Sequence, residues 1–295
     1  MTAAFQCLPS GRADAARLAE LIGVPLHPID VHRFPDGELR VTVGPAGATT
    51  IVYAPLDVPN DKLVALLFAA EALRRGGAKR LVLVAPYLCY MRQDAAFNAG
   101  EAISQKVMGP LLARTFDRVV TVDAHLHRTR RIEDVFPGIE AEDLSAMPAM
   151  AAALRGIDKR MVVAGPDEES EPWVSDLAGR LGLAYAVARK TRRGDRSVNI
   201  AFADPAVFDG QPALLVDDIV SSGGTLIACA QALVKAGATA VDAVITHALF
   251  PPGMLEDFRR AGIRSVRSTT SVPHPTNAIA LDEVLAAALR KETGA

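Results

Sequence analysis

Three cysteines in 295 residues (Cys7, Cys89 and Cys229) are too far apart and odd in number for a disulfide framework or a zinc spacing. They suit a reducing cytosol, where each is most simply a small buried hydrophobe. Charge of one sign is also lacking. Lys and Arg number 32 against 34 Asp and Glu, and the net charge of −2 gives no electrostatic footing for nucleic acid or an anionic membrane. No apolar run approaches the roughly 18 residues of a membrane span. The opening "MTAAFQCLPSGRADAARLAE" lacks the basic start and apolar core of a signal peptide. A cytoplasmic protein with neither nucleic-acid nor membrane partner is the expectation.

Half of the residues are hydrophobic and about a fifth charged, a globular composition whose length favours about two domains. Helical and extended apolar segments alternate from end to end, which predicts an α/β protein with mainly parallel sheets flanked by helices. The clearest strands are 50–55, 80–87, 118–125, 160–167, 212–218 and 241–250, short runs too apolar for half-exposed strands. Polar residues stand at their C-terminal ends: Tyr87, His125, Asp167, Asp217, Asp218 and His247. Ligands gather at that edge of open parallel sheets. An echo links 71–88 with 231–249, each a helix end, a glycine turn and a strand. It implies two similar domains, 1–145 and 146–295, joined near 141–150.

The densest chemistry lies in "ALLVDDIVSSGGTL", 213–226. An apolar strand delivers Asp217 and Asp218 to a small-residue loop, and a helix follows. Leu226, Cys229, Ala230, Leu233 and Val234 form that helix's apolar face. Ser221, Ser222, Gly223, Gly224 and Thr225 can turn backbone N–H groups inward beside the positive end of the helix dipole, making a phosphate site. The carboxylates suit the hydroxyls of a sugar phosphate, or a Mg²⁺ spanning them. The alternative is a strand end whose Asp218 caps a turn.

"LLVDDIVSSGGT" closely resembles the ribose 5-phosphate-binding signature of the type I phosphoribosyltransferases, enzymes that spend phosphoribosyl pyrophosphate together with one branch that makes it. Two further segments choose the branch. "RFPDGELRV" (33–41) places Phe34, Asp36 and Glu38 in alternation around a turn, which alone reads as a surface hairpin. "APYLCYMRQDAAFNAGEAIS" (85–104) groups Arg92, Gln93 and Asp94, side chains that suit phosphate, purine edge or ribose. Together they resemble the ribose-phosphate pyrophosphokinases, the archaeal type more than the phosphate-regulated one, along nearly the whole chain.

That resemblance implies two phosphoribosyltransferase-type domains and transfer of the diphosphoryl group of ATP to ribose 5-phosphate, with Mg²⁺ as cofactor and a homo-oligomer as the working form. It implies ATP binding by Phe34, Asp36, Glu38, Arg92, Gln93, Asp94 and His125, and metal binding by His125 and Asp167. Lys190 and Arg192, in "ARKTRRGDRSVN", match the catalytic pair of the family's flexible loop, with Gly194 allowing closure. His127 is a further possible donor without a match in the motif. The chain departs from the pattern at "GPDEESEPWVSDLAGRLG", where Glu168, Glu169, Ser170 and Glu171 replace small residues. These acids hold a further Mg²⁺, pair with Lys190, Arg192 or Arg193, or face solvent. A phosphoribosyltransferase that consumes the sugar pyrophosphate, or a regulatory relative without activity, are the rival readings.

Overall fold

The computed structural model describes residues 3–193 and 197–294, with the side chains of 190–199 outside the description. The chain divides into two compact units, one of Met1–Ser145 with Ser271–Pro273 and Leu281–Ala295, the other of Ala146–Thr270 with His274–Ala280.

The first unit runs β1 (Ala3–Cys7), α1 (Arg12–Ile22), β2 (Leu26–Pro28), β3 (Asp30–Arg33), β4 (Leu39–Thr42), β5 (Thr49–Tyr53), α2 (Pro59–Arg75), β6 (Arg80–Ala85), α3 (Ser104–Ala113), β7 (Arg118–Val122) and β8 (Glu140–Leu144). Its main sheet has the order β2-β1-β5-β6-β7-β8, parallel throughout, while β3 and β4 form a separate antiparallel ribbon. Leu81–Ala85 of β6 and the whole of β7 are buried, as near-continuous apolar strands covered on both faces must be.

The second unit runs α4 (Met147–Ala153), β9 (Val162–Gly165), α5 (Glu171–Leu181), β10 (Ala184–Arg193), β11 (Ser197–Phe202), β12 (Pro212–Val220), α6 (Gly224–Lys235), β13 (Ala240–Ala248), α7 (Met254–Arg260), β14 (Ile263–Thr269) and β15 (Asn277–Ile279). The sheet order is β11-β10-β9-β12-β13-β14-β15, parallel except for the β10–β11 pair. The α/β expectation holds in both units. Its echo is physical: α2 and α6 are each followed by a left-handed glycine, Gly77 at φ 104° and Gly237 at φ 90°, before β6 and β13.

The last helix, α8 (Asp282–Thr293), belongs to the first unit, where it packs on α1. Leu285, Ala286 and Leu289 are its buried stripe. Ion pairs at two of its residues fix its register. Asp282 Oδ2 accepts from Arg17 Nε at 2.7 Å, and Glu292 accepts from Arg118 Nη1 and Arg80 Nε at 2.9 and 2.8 Å. Arg118 is 1% exposed, and an isolated charge so placed would be costly without these partners.

All six expected strands are found with shifted ends, and two of the shifts bear on the site. β7 stops at Val122 rather than 125, because Asp123 turns to φ 42° and leaves the extended region. β12 continues past 218 to Val220, still paired with β13, so Asp217 and Asp218 lie within the strand's last turn of pleat.

Candidate functional site

In the second unit, α6 begins at Gly224 directly after the Ser221–Gly223 loop, so the phosphate-type junction has the expected strand, loop and helix. Gly223 is buried at φ 74°, where only glycine is at ease, and a Cβ there would stand 2.7 Å from the Phe258 ring. Among the described residues no protein acceptor takes the N–H groups of Ser222, Gly223 or Gly224. Orphan donors at a helix start are what an anion satisfies. Leu226, Cys229, Ala230 and Leu233 are buried as the periodicity requires, but Val234 is 49% exposed, one position beyond the face that meets the sheet.

Asp217 is partly buried and Asp218 almost wholly so. The Asp218 N–H donates to Asp217 Oδ1 at 3.1 Å, and the Ile219 N–H to Asp218 Oδ1 at 2.7 Å. Burial, then the neighbouring charges of Asp218 and Asp167, push the Asp217 carboxyl well above its ordinary range. Asp167 therefore lies within electrostatic reach of the pair. Negative charge accumulates here beside a loop of bare N–H donors, which suits a ligand carrying hydroxyls at one end and phosphate at the other.

The departure at 167–171 folds into a self-consistent turn. Glu168–Ser170 forms one 3-10 turn ahead of α5, and Ser170 is fully buried. Its Oγ donates to the Asp167 carbonyl at 2.6 Å, and its N–H donates to the same carbonyl at 3.1 Å. Gly165 is required beneath it, since a Cβ there would meet Ser170 Oγ at 2.1 Å. Glu168 and Glu169 are exposed, and Glu168 pairs with Arg189 at 3.3 Å, while the side chains of Lys190, Arg192 and Arg193 lie outside the described residues. Val174, Leu177, Ala178 and Leu181 are buried as expected.

Lys190 and Arg192 lie on β10, in register with Ile200 and Val198 of β11. Their side chains, and Gly194 altogether, lie outside the described residues.

In the first unit, Phe34, Asp36 and Glu38 are all exposed on the β3–β4 turn, which is a true hairpin. The Phe34 N–H donates to the Glu38 carbonyl at 2.8 Å, the Gly37 N–H to the Phe34 carbonyl at 2.9 Å, and the Glu38 N–H to Asp36 Oδ1 at 3.1 Å. Gly37 supplies the φ of 95° that the turn needs. Phe34 stands edge-on to His32, with ring centroids 4.8 Å apart, and an Arg33–Asp61 ion pair ties the ribbon to α2.

The three residues of 92–94 separate in role. Arg92 is exposed. Gln93 Nε2 donates to the Ala95 carbonyl at 3.1 Å, and the Gln93 carbonyl accepts from the Gln105 N–H at 3.2 Å. Asp94 is buried and engaged at both oxygens by Arg128, through its N–H at 3.0 Å and Nη1 at 2.7 Å. Burial would raise the Asp94 carboxyl, but these Arg128 contacts hold it below its ordinary value.

His125 follows the Asp123 turn, whose next N–H, that of Ala124, donates to Asp143 Oδ1 at 2.9 Å. His125 and His127 meet through their Nε2 atoms, rings perpendicular and centroids 4.0 Å apart. Sequence reasoning passed over Asp143 and Arg128 as parts of these sites, and named Ser170 without its role in the turn. Only Ser170 had a local signal, as the one small residue among acids.

Comparisons with known proteins agree with the fold. Residues 7–115 match the family described as the N-terminal domain of ribose phosphate pyrophosphokinase, and 144–283 match the phosphoribosyl transferase domain. A protein of Methanopyrus kandleri named ribose-phosphate pyrophosphokinase is 31% identical over 282 residues, covering 94% of this chain and 95% of the relative. One of Rhizobium meliloti with the same name is 32% identical over 278 residues, covering 92% and 87%. The crystal structure of phosphoribosylpyrophosphate synthetase from Mycobacterium smegmatis matches in fold, with a TM-score of 0.87 at 24% identity over 100% of this chain and 99% of that one. No helix among the described residues is long and apolar enough to cross a membrane.

Proposed function

The chain belongs to the ribose-phosphate pyrophosphokinase family, and from that premise we propose that it makes phosphoribosyl pyrophosphate and AMP from ATP and ribose 5-phosphate. The observation that carries the synthetic direction is the match of residues 7–115 to the N-terminal domain of that family, in addition to the phosphoribosyl transferase domain that follows.

Ribose 5-phosphate occupies the second unit's loop. Ser221, Ser222, Gly223, Gly224 and Thr225 take the 5-phosphate, with the bare N–H groups of Ser222 to Gly224 as donors. Asp217 and Asp218 accept from the ribose hydroxyls. A sugar that donates hydrogen bonds there relieves the crowding that raises Asp217. Phe34, Asp36, Glu38, Arg92 and Gln93 bind ATP in this reading. Asp94 acts by positioning Arg128, since both of its oxygens are already engaged.

The C1 hydroxyl oxygen attacks the β-phosphorus of ATP, the bond from that phosphorus to the α,β-bridging oxygen breaks, and AMP leaves as the hydroxyl proton is lost. Charge grows on the bridging and equatorial oxygens, and Lys190 with Arg192 supply the cations that stabilise it. Both residues lie on β10, which pairs with β11.

Oxygen donors crowded enough to raise Asp217 fit a hard dication, so Asp167 in the second unit would hold Mg²⁺, and His125 in the first unit is a metal residue on the family resemblance. When bound, Mg²⁺ neutralises the triphosphate and polarises its phosphoryl oxygens. The working form is a cytoplasmic homo-oligomer, with the exposed Phe34 hairpin available to complete an ATP site between copies.

Incubation of the pure protein with Mg²⁺, ATP and ribose 5-phosphate tests this reading. Steady release of AMP that requires the sugar phosphate is expected. Pyrophosphate release from phosphoribosyl pyrophosphate and a nucleobase, without AMP in the first assay, would instead identify a transferase.

A further inference from the structure

We propose that Glu101 is a positioning residue of the ATP side, which fixes the Gln93 amide so that its oxygen is the group offered to a hydrogen-bond donor on the nucleoside half of the nucleotide. The inference rests on the reading of Gln93 as an ATP residue and deepens it, since it says which end of the amide meets which end of the ligand.

The Gln93 amide nitrogen carries two hydrogens, and both are engaged inside the protein. Nε2 donates to the Ala95 carbonyl at 3.1 Å and to Glu101 Oε2 at 3.4 Å. Two acceptors at the nitrogen decide the orientation of an amide that could otherwise flip. Among the described residues no donor meets Gln93 Oε1. In this orientation Gln93 has nothing to give a phosphate, which only accepts. The donors on ATP are the 6-amino group and the ribose hydroxyls, so the nucleoside half is what Oε1 suits.

Glu101 builds the loop that holds this arrangement. Residues 93–101 carry neither helix nor strand. Glu101 Oε2 accepts from the N–H groups of Phe97 and Asn98 at 2.8 and 3.0 Å, and Oε1 accepts from Asn98 Nδ2. The Glu101 N–H returns to the Asn98 carbonyl at 3.3 Å, with Gly100 supplying a φ of 87°. The Asn98 amide, then the backbone donors of Asn98 and Phe97, hold the Glu101 carboxyl below its ordinary value. It is therefore an ionised, acceptor-only hub at neutral pH. The loop's other ties lie outside it. The Gln93 carbonyl accepts from the Gln105 N–H at 3.2 Å, and the Arg128 guanidinium, held by Asp94, stands 5.4 Å over the Phe97 ring. Glu101 itself is exposed, so its hydrogen bonds organise this loop and not the core. A loop ordered before its ligand arrives loses less freedom on binding.

Calorimetry of ATP binding to the full chain with Mg²⁺, in the absence of sugar phosphate, tests the proposal without turnover. Glu101→Ala and Gln93→Ala are each expected to weaken ATP about tenfold, the loss of roughly one hydrogen bond. The double variant is expected to be no weaker than Gln93→Ala, because Glu101 acts through Gln93. Inosine triphosphate, which lacks the 6-amino group, and the 2′- and 3′-deoxy analogues of ATP identify the donor. The parent is expected to bind one of the three about tenfold more weakly than ATP, and both alanine variants to lose that discrimination. Ribose 5-phosphate affinity and the urea midpoint are expected to match the parent. If Glu101→Ala misfolds, Glu101→Gln with unchanged circular dichroism replaces it and is expected to lose discrimination in the same sense. Equal weakening of ATP and all three analogues in Gln93→Ala, additive losses in the double variant, or unmoved ATP affinity in the Glu101 variant would overturn the proposal. ATP binding that depends on the pair, with no AMP formed in the turnover assay, would count against the proposed function alone.

Discussion

Gly223→Ala perturbs the sugar-phosphate loop at the point where backbone and packing are both least tolerant. At φ 74° an L-residue costs roughly 1–2 kcal/mol. The added Cβ would lie 2.7 Å from Phe258 Cε1 and 2.9 Å from Cζ, with Met254 Cε at 3.0 Å. Ordinary carbon contacts start near about 3.5 Å, so the ring must retreat by roughly 0.8 Å. Phe258 has no exposed surface and stands edge-on to Phe250 at 5.0 Å, so it cannot swing into solvent. Overpacking of that kind costs about 1–3 kcal/mol, giving a total of about 2–5 kcal/mol. Urea unfolding of the parent, Gly223→Ala, Phe258→Leu and the double variant separates the two parts. The packing part is expected as a coupling of about 1–3 kcal/mol between the sites, and the backbone part as what persists in the double variant. Ribose 5-phosphate affinity is expected to fall with stability, because the same turn aims the donors of 222–224. A loss below about 0.5 kcal/mol, or no coupling to Phe258, would refute the reasoning.

Breaking the α8 clasp with Glu292→Gln is expected to cost about 1–3 kcal/mol, measured as a shift in the urea midpoint, because buried Arg118 keeps Glu142 but loses its charged partner on α8. The pH limb adds a check. Burial would raise Glu292, but the hydrogen bonds and charges of Arg80 and Arg118 hold it below 4.5, so its contribution is complete above that pH and is lost as pH falls through the lower folded value. Acid unfolding of Glu292→Gln is therefore expected to be flatter than that of the parent. Asp217→Asn removes a carboxyl whose folded value lies above its unfolded one, a group that costs stability at neutral pH and is relieved as pH falls. Calorimetry should find the variant more stable on the order of 1 kcal/mol at neutral pH, with ribose 5-phosphate binding weakened. Lys190→Ala is expected to lower kcat by about a hundredfold or more with ATP affinity kept, and a loss within about threefold would remove it from the transition state.

Much of the fold was legible because local chemistry dictated it. The run "RVVTV" had no alternative to a doubly covered strand, and β7 is buried throughout. The strand–loop–helix junction at Ser221–Thr225 was legible for a related reason, since its small residues and the left-handed Gly223 are what so tight a junction needs. Long-range pairings left no such trace. Asp94 read as a ligand residue beside Arg92 and Gln93, but its partner Arg128 is 34 positions away. The helix α8 is set in place in the same way, by Asp282 and Glu292 through Arg17, Arg80 and Arg118, all far from it in sequence. Val234 continued the α6 pattern in sequence, yet α6 ends at Lys235 and leaves it half in solvent. The acids after Asp167 looked like an electrostatic problem, whereas the turn is organised by the neutral Ser170 buried among them.

The central claim is that two phosphoryl groups pass together from ATP to the sugar. ATP labelled with ³²P at the β position, incubated with the protein, Mg²⁺ and ribose 5-phosphate, tests it directly. The account predicts that the label leaves the nucleotide, which becomes unlabelled AMP, and appears in the sugar product. Label retained in ADP would mean single-phosphoryl transfer, and would contradict the account.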